Sequence, residues 1–382
     1  MKVAINLLTD HPDHPSGAHW FWTRVIPEMA ARLEGDEELH LVTSPRSRAM
    51  HQGYGPRVKY VTFPWSNERR KLRTLSEQAY APVRLPLGGI DVFNTLIAPA
   101  VRPAPAVVAH FKTMHAFTTP DAVPPLIRWY RQRGYPHTAR MADAVIINSE
   151  SLRQEVERYL DVDPAKLHLI PEAVDHEVFF PGDPDEARAL VAARYGVTRP
   201  FLLFVSSLWP YKNCEGLLRA FALARGDLGG HQLVVVGSPS DAAYAERLRS
   251  LADRLGIADD VVWTGPMALE DTVPLYRAAD VFVYPSFNET FGLPLLEAMA
   301  CSCPVVTSDR SAMPETAGGA AVLADPHEPA SIAAGILEAV EHADELRKQG
   351  RERAGDFTWA STAARTLDVY RQVHRARKER HA

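Results

Sequence analysis

Near-continuous apolar runs alternate with stretches of helical spacing along almost the whole chain. The runs include KVAINLL, VKYVTF, DVFNTL, AVVAHF, AVIINS, LHLIPE, FLLFVSS, QLVVVGS, DVVWTG, VFVYPS and PVVTSD; between many of them lie segments such as SLRQEVERYL, CEGLLRAFALA and DAAYAERLRSLADRLG. A strand that is apolar on both faces must be covered on both, as in a parallel sheet with helices above and below. The expected fold class is therefore α/β. With 382 residues, 46% of them hydrophobic, the chain exceeds the roughly 250–300 residues at which a single core stops growing. Two doubly wound parallel-sheet domains are expected. Proline, glycine and acids interrupt the alternation in DHEVFFPGDPDEARALVAARYGVTRP, residues 175–200, which places the break near residue 195 and the domains at 1–190 and 195–358. The final stretch, 359–382, reads as a long amphipathic helix with a basic second half.

Composition narrows the function. A formal charge of −5 leaves no overall basic excess of the kind that binds nucleic acid. Cys214, Cys301 and Cys303 form an odd, sparse set without a disulfide framework, which fits a reducing compartment and a cytoplasmic protein. The opening apolar run ends at Leu8 and reads as a first strand rather than a secretion signal. No apolar stretch approaches the roughly 20 residues that cross a bilayer. Two basic stretches, NERRKLR at 67–73 and RWYRQRGYPHTAR at 128–140, read either as solvated helix faces or as contacts to anionic lipid or a lipid-diphosphate acceptor. Peripheral membrane contact stays open on this reading.

The stretch NETFGLPLLEAMA, 288–300, places Glu289 in a strand-to-helix loop and Glu297 in the first turn of the helix that Pro294 opens. Gly292 lets the backbone approach a ligand, and the first amides of the helix have no partner within it. That combination binds an anion, beyond the carboxyl ends of the strands where doubly wound sheets hold ligands. Carboxylates beside an anion site suit sugar hydroxyls, and a nucleotide-sugar carries both parts. The plain alternative is a dipole-complementing Glu297 and a solvated Glu289.

With its flanks, this region resembles the donor site of glycosyltransferase family 4, retaining enzymes of the GT-B fold, whose paired glutamates seven residues apart match Glu289 and Glu297. TMHAFTTPD resembles the family's Thr-x-His segment, ADAVIINSE its strand before a serine-started helix, PEAVDHEVF its interdomain strand end and SSLWPYKN its phosphate loop. The resemblance implies two Rossmann-like domains, the first for acceptor and the second for donor, with the last helix crossing back to the first. It implies transfer of a hexose from a nucleoside-diphosphate sugar, GDP-mannose or a UDP-sugar, to a glycan, lipid-linked or small-molecule acceptor. By that likeness Glu289 contacts the donor sugar, Glu297 the ribose, the amides of Phe291, Gly292 and Leu293 the sugar and phosphate, Lys212 the diphosphate, and His115 the reacting sugar, with His110 second to it. Gly17, after a capping Ser16, either brings the backbone to the diphosphate from the first domain or belongs to a plain helix cap. Pro266 and Met267 in TGPMALED are assigned to the base. No cofactor and no metal are expected, because helix-end amides and Lys212 can neutralise the leaving group.

The sequence also departs from that pattern. Ser206 and Ser207 stand where the family has glycine and arginine, Ser16-Gly17 where it has two glycines, and Glu172-Ala173 where it has Asn-Gly. DVD at 161–163 and DPD at 183–185 could pass for metal-binding motifs, but acids there cap helices, and CSC at 301–303 lacks a second pair of zinc ligands. Two other classes fit the same donor site: an epimerase or phosphorylase that does not transfer, and a non-catalytic sugar-nucleotide binder.

Overall fold

A computed structural model describes residues 1–10, 17–63, 77–78, 89–99 and 105–381. The basic stretch 67–73 and Ser16 lie outside the described residues. The chain divides into two compact units, Met1–Glu172 with Trp359–Ala382, and Ala173–Thr358.

The first unit is built on seven parallel strands: β1 (Lys2–Asn6), β2 (Glu38–Thr43), β3 (Val58–Thr62), β4 (Val92–Thr95), β5 (Ala106–His110), β6 (Ala144–Ile147) and β7 (Leu167–Leu169), in the order β3-β2-β1-β4-β5-β6-β7. The strand order reverses between β1 and β4, where Asn6 Nδ2 donates to Thr95 Oγ1 at 3.2 Å. Its core joins Val3 and Ile5 of β1 with Phe21, Val25 and Met29 of the helix Gly17–Ala30 and with Ala363, Leu367, Tyr370 and Val373 of the last helix, Trp359–His381. The last helix therefore belongs to the first unit. Arg371 fixes it further through Glu37 Oε2 at 2.8 Å.

The second unit carries six parallel strands: β8 (Phe201–Val205), β9 (Gln232–Val236), β10 (Val261–Gly265), β11 (Val281–Tyr284), β12 (Val305–Ser308) and β13 (Val322–Ala324), ordered β10-β9-β8-β11-β12-β13. Here the order reverses between β8 and β11. Both sheets are parallel and doubly wound, as the alternation requires.

The division falls at Glu172/Ala173, not near residue 195. The helix Pro184–Tyr195 belongs to the second unit, where Arg194 meets Asp271 at 3.1 Å and Arg188 meets Asp280 at 3.4 Å. A proline- and acid-rich segment signalled a linker in the sequence; Asp183 instead caps that helix, accepting from the Asp185 amide at 2.8 Å. Asp163 likewise accepts from the Ala165 amide at 3.0 Å.

Candidate functional site

In the second unit, the reversal brings the loops after β8 and β11 side by side at the carboxyl edge of the sheet. After β8, a single 3-10 turn, Pro210–Lys212, ends at Asn213, which sits at φ 60° and caps the helix Cys214–Ala224 by accepting from the Gly216 amide at 3.1 Å. Asn213 Nδ2 donates to the carbonyls of Pro285 at 3.0 Å and Pro326 at 2.7 Å. One buried amide thus ties the Lys212 loop to the loops after β11 and β13.

Lys212 Nζ donates to Glu289 Oε1 and, at 2.8 Å, to Tyr284 Oη. The same Glu289 oxygen accepts from Tyr284 Oη at 2.7 Å and Ser286 Oγ at 3.0 Å. The Glu289 amide donates to Ser311 Oγ at 3.0 Å, which fastens the loop after β11 to that after β12. Burial, then the neighbouring Glu289 carboxylate, pushes the Tyr284 phenol well above its usual range, so it serves as a hydrogen-bond donor. Two of the residues expected at the site therefore form a largely buried ion pair. A diphosphate arriving here would compete with Glu289 for Lys212.

The helix Leu293–Ala300 follows. Its N-cap, Gly292, lies at φ 88° and makes no side-chain cap. An added Cβ there would come within 2.3 Å of Met313 Cε, the movable end of a flexible side chain, so it is the backbone conformation that favours glycine. Pro294 lies in the first turn, and no side chain caps the start of the helix. Phe291 is buried against Phe357, ring centroids 5.7 Å apart, and Leu293 is half-buried. Glu297 stands in the second turn of this helix, not the first, because the helix begins at Leu293. Tyr276 Oη donates to Glu297 Oε2 at 2.9 Å. Burial raises the Glu297 carboxyl to a pKa of about 7, against the lowering effect of that hydrogen bond. The two glutamates thus have different partners and different electrostatic settings.

Ser207 is exposed beside this loop, and Pro266 (exposed) and Met267 (half-buried) follow the carboxyl end of β10. Cys301 and Cys303 are buried without ligating neighbours among the described residues, and burial pushes the Cys301 thiol up to about 12. Tyr276, Tyr284, Ser286 and Ser311 escaped the sequence reading. A tyrosine in an apolar strand looks like core, and only strand adjacency shows where its hydroxyl points. Asn213 carried a usable signal, an asparagine directly before a helical run.

In the first unit, His115 opens the short helix His115–Thr118 past the carboxyl end of β5, and its amide donates to Thr113 Oγ1 at 3.1 Å. His110 is core: it is buried edge-on to Phe21 and Trp22, 5.0 and 5.5 Å between centroids. Burial, with Lys112 adding to it, holds its imidazole well below the usual range. Gly17 is exposed, and a Cβ there would meet open space. Glu172 accepts from Lys112 Nζ at 2.8 Å and Asn148 Nδ2 at 3.3 Å. Lys112 also lies 3.2 Å above the Phe21 ring. That ion pair accounts for an acid in place of the family's asparagine.

Residues 22–178 match the model of Glycosyltransferase Family 4 and residues 193–356 that of Glycosyl transferases group 1. The chain is 38% identical over 240 residues to D-inositol 3-phosphate glycosyltransferase 2 of Catenulispora acidiphila, covering 60% of this chain and 56% of that protein. It is 33% identical over 263 residues to D-inositol 3-phosphate glycosyltransferase of Mycolicibacterium smegmatis, covering 68% and 58%. The matches thus span little more than half the length of these relatives. Among solved structures, sucrose-phosphate synthase from Thermosynechococcus elongatus superposes with a TM-score of 0.75 at 20% identity, over 98% of this chain and 100% of that one. Anabaena HepE in complex with UDP and glucose gives 0.73 at 18%, over 97% and 100%. At these identities the structures speak for the fold alone. The chain belongs to the group 1 glycosyltransferases of GT-B fold.

Proposed function

We propose that the chain is a retaining glycosyltransferase that takes a hexose from a nucleoside-diphosphate sugar bound in its second unit. The observation carrying this reading is the convergence, at the β8/β11 reversal, of Lys212, Glu289 and the uncapped helix start at Gly292. As the glycosidic C–O bond breaks, its electron pair leaves on the diphosphate. Lys212 and the amides of Phe291, Gly292 and Leu293 serve that developing negative charge, with Ser207 as a further phosphate contact. The acceptor oxygen bonds to the same face of the anomeric carbon and passes its proton to the leaving phosphate. Glu289 accepts from sugar hydroxyls and Glu297 from the ribose, and Pro266 and Met267 lie against the base.

Two ligands are the first to try: D-inositol 3-phosphate, from the relatives' names, and UDP, from the HepE complex. The experiment is a screen of UDP- and GDP-hexoses with polyol-phosphate, glycan and lipid-linked acceptors, following product and free nucleotide together. Nucleotide release without a glycosylated product, or epimerised donor, would instead favour the non-transferring readings. A metal-free leaving-group site is part of the proposal, so the affinity for nucleoside diphosphate should be the same in chelator as in magnesium. A tenfold dependence on the cation would rule it out.

A second reading concerns the helix Pro125–Met141, which carries Arg128, Arg131, Arg133 and Arg140 and no acid. Leu126 and Trp129, one turn apart, are 68% and 54% exposed. A cationic helix with an exposed tryptophan and leucine suits an anionic bilayer surface. Cosedimentation with vesicles of anionic lipid, lost in Trp129→Ala/Arg133→Glu and absent with neutral lipid, is the expected result; equal binding to both lipids would refute it.

A further inference from the structure

A separate cluster sits at the carboxyl edge of the first unit's sheet. Asp10 follows β1, His19 lies in the first turn of Gly17–Ala30, and His51 ends the helix Pro45–Met50 that follows β2. All three are buried, His51 and Asp10 almost completely. His51 Nε2 lies 2.7 Å and His19 Nδ1 3.2 Å from the same oxygen, Asp10 Oδ2. One donor atom from each residue falls within 4.8 Å of the other two.

We propose that Asp10, His19 and His51 form a zinc site. In a tetrahedral site with metal–ligand distances of about 2.0–2.1 Å, neighbouring donor atoms stand about 3.3–3.4 Å apart. The separations to Asp10 reach that geometry with shifts of only a few tenths of an ångström to about 0.7 Å. Two imidazoles and one carboxylate favour zinc over magnesium or calcium, which take oxygen ligands. Asp10, His19 and His51 would supply three of the four positions of a tetrahedral site. His51 also has the outer partner that metal-bound histidines use to fix their orientation, since its Nδ1 lies 3.2 Å from Tyr54 Oη. Bound zinc would join the segments after β1 and β2 to the start of the helix Gly17–Ala30.

Without metal the same three groups form an ordinary hydrogen-bonded triad, and the experiment separates the two. The full chain, stripped by chelator and dialysed, is titrated with cobalt(II) and zinc(II), followed by visible d–d absorption and calorimetry. The expected result is one equivalent of cobalt with tetrahedral bands, displaced by zinc, and a higher unfolding temperature with zinc. His51→Gln and His19→Gln should abolish the bands, while His40→Gln and His168→Gln keep them. Tyr54→Phe, which leaves all three ligands in place, should weaken zinc about 10- to 100-fold. No stoichiometric uptake by the unaltered protein, or bands that survive in His51→Gln, would overturn the proposal.

Discussion

Glu289 and Glu297 differ in what surrounds them, and their substitutions should therefore fail differently. Glu289 is held by Lys212, Tyr284 and Ser286. In the proposed role its contact to a sugar would strengthen as the ring gains positive charge, so Glu289→Gln should lower kcat about 10- to 1,000-fold. Affinity for bare nucleoside diphosphate should hold or rise, because Lys212 loses its competing carboxylate. Glu297→Gln should instead weaken nucleotide and nucleotide-sugar alike; loss of nucleotide affinity in Glu289→Gln with kcat intact would reverse the roles. Glu297 adds a pH signature. With its carboxyl at about 7, it becomes a full acceptor for ribose hydroxyls only above neutrality. Nucleotide affinity should rise from pH 6 to pH 8 relative to Glu297→Gln, a comparison that cancels the phosphate's own titration. Tyr276→Phe removes a hydrogen bond that lowers this pKa and should move the midpoint upward; an unchanged midpoint would show that Tyr276 does not tune it. Because the folded value lies above the ordinary 4.5, folding takes up a proton between these values, and this group's contribution to stability declines as pH rises through that window.

At the level of elements, the loop-to-helix joints hold the site together. Gly292→Ala must place a side chain at φ 88° and against Met313. The left-handed conformation alone costs about 1–2 kcal/mol, so urea unfolding should show at least that loss. Asn213→Ala removes a helix cap, about 1 kcal/mol, together with both ties to Pro285 and Pro326. Nucleotide affinity should fall even though Asn213 touches no ligand; full affinity would mean the Lys212 loop is held some other way. Most strands were legible because they are apolar on both faces. The named runs omit β2 and β13: ELHLVT carries Glu38 and His40 among its apolar residues, and β13 has only three residues. The paired glutamates and Gly292 stood out through spacing and turn chemistry, and Lys212 only through the resemblance of SSLWPYKN to a phosphate loop. Tyr284, Ser286 and Ser311 were not, since they reach Glu289 only after the sheet and its loops have formed.

The first unit is assembled from two distant pieces of chain, whereas the second is continuous. Its core is therefore incomplete until the last helix arrives with Ala363, Leu367, Tyr370 and Val373. The amphipathic pattern showed a final helix, and only the family resemblance implied which domain it joins; the contacts that hold it there link residues more than 300 positions apart, such as Arg371 and Glu37. Tyr370 is fully buried, and its hydroxyl has no hydrogen-bond partner among the described residues. Tyr370→Phe should thus be neutral or slightly stabilising. Tyr370→Ala should cost about 3–5 kcal/mol, the range for emptying a large aromatic site. The loss should fall on the first unit, where Trp22 and Trp359 report unfolding by fluorescence. The second unit carries the proposed nucleotide contacts of Lys212 and the Gly292 helix on its own stretch of chain. Affinity for nucleoside diphosphate, measured below the unfolding transition, should therefore change less than about twofold, an effect within about 0.4 kcal/mol. If affinity falls in step with the first unit's stability, nucleotide binding is not a property of the second unit alone, and the acceptor-side unit must contribute substantially to holding the donor.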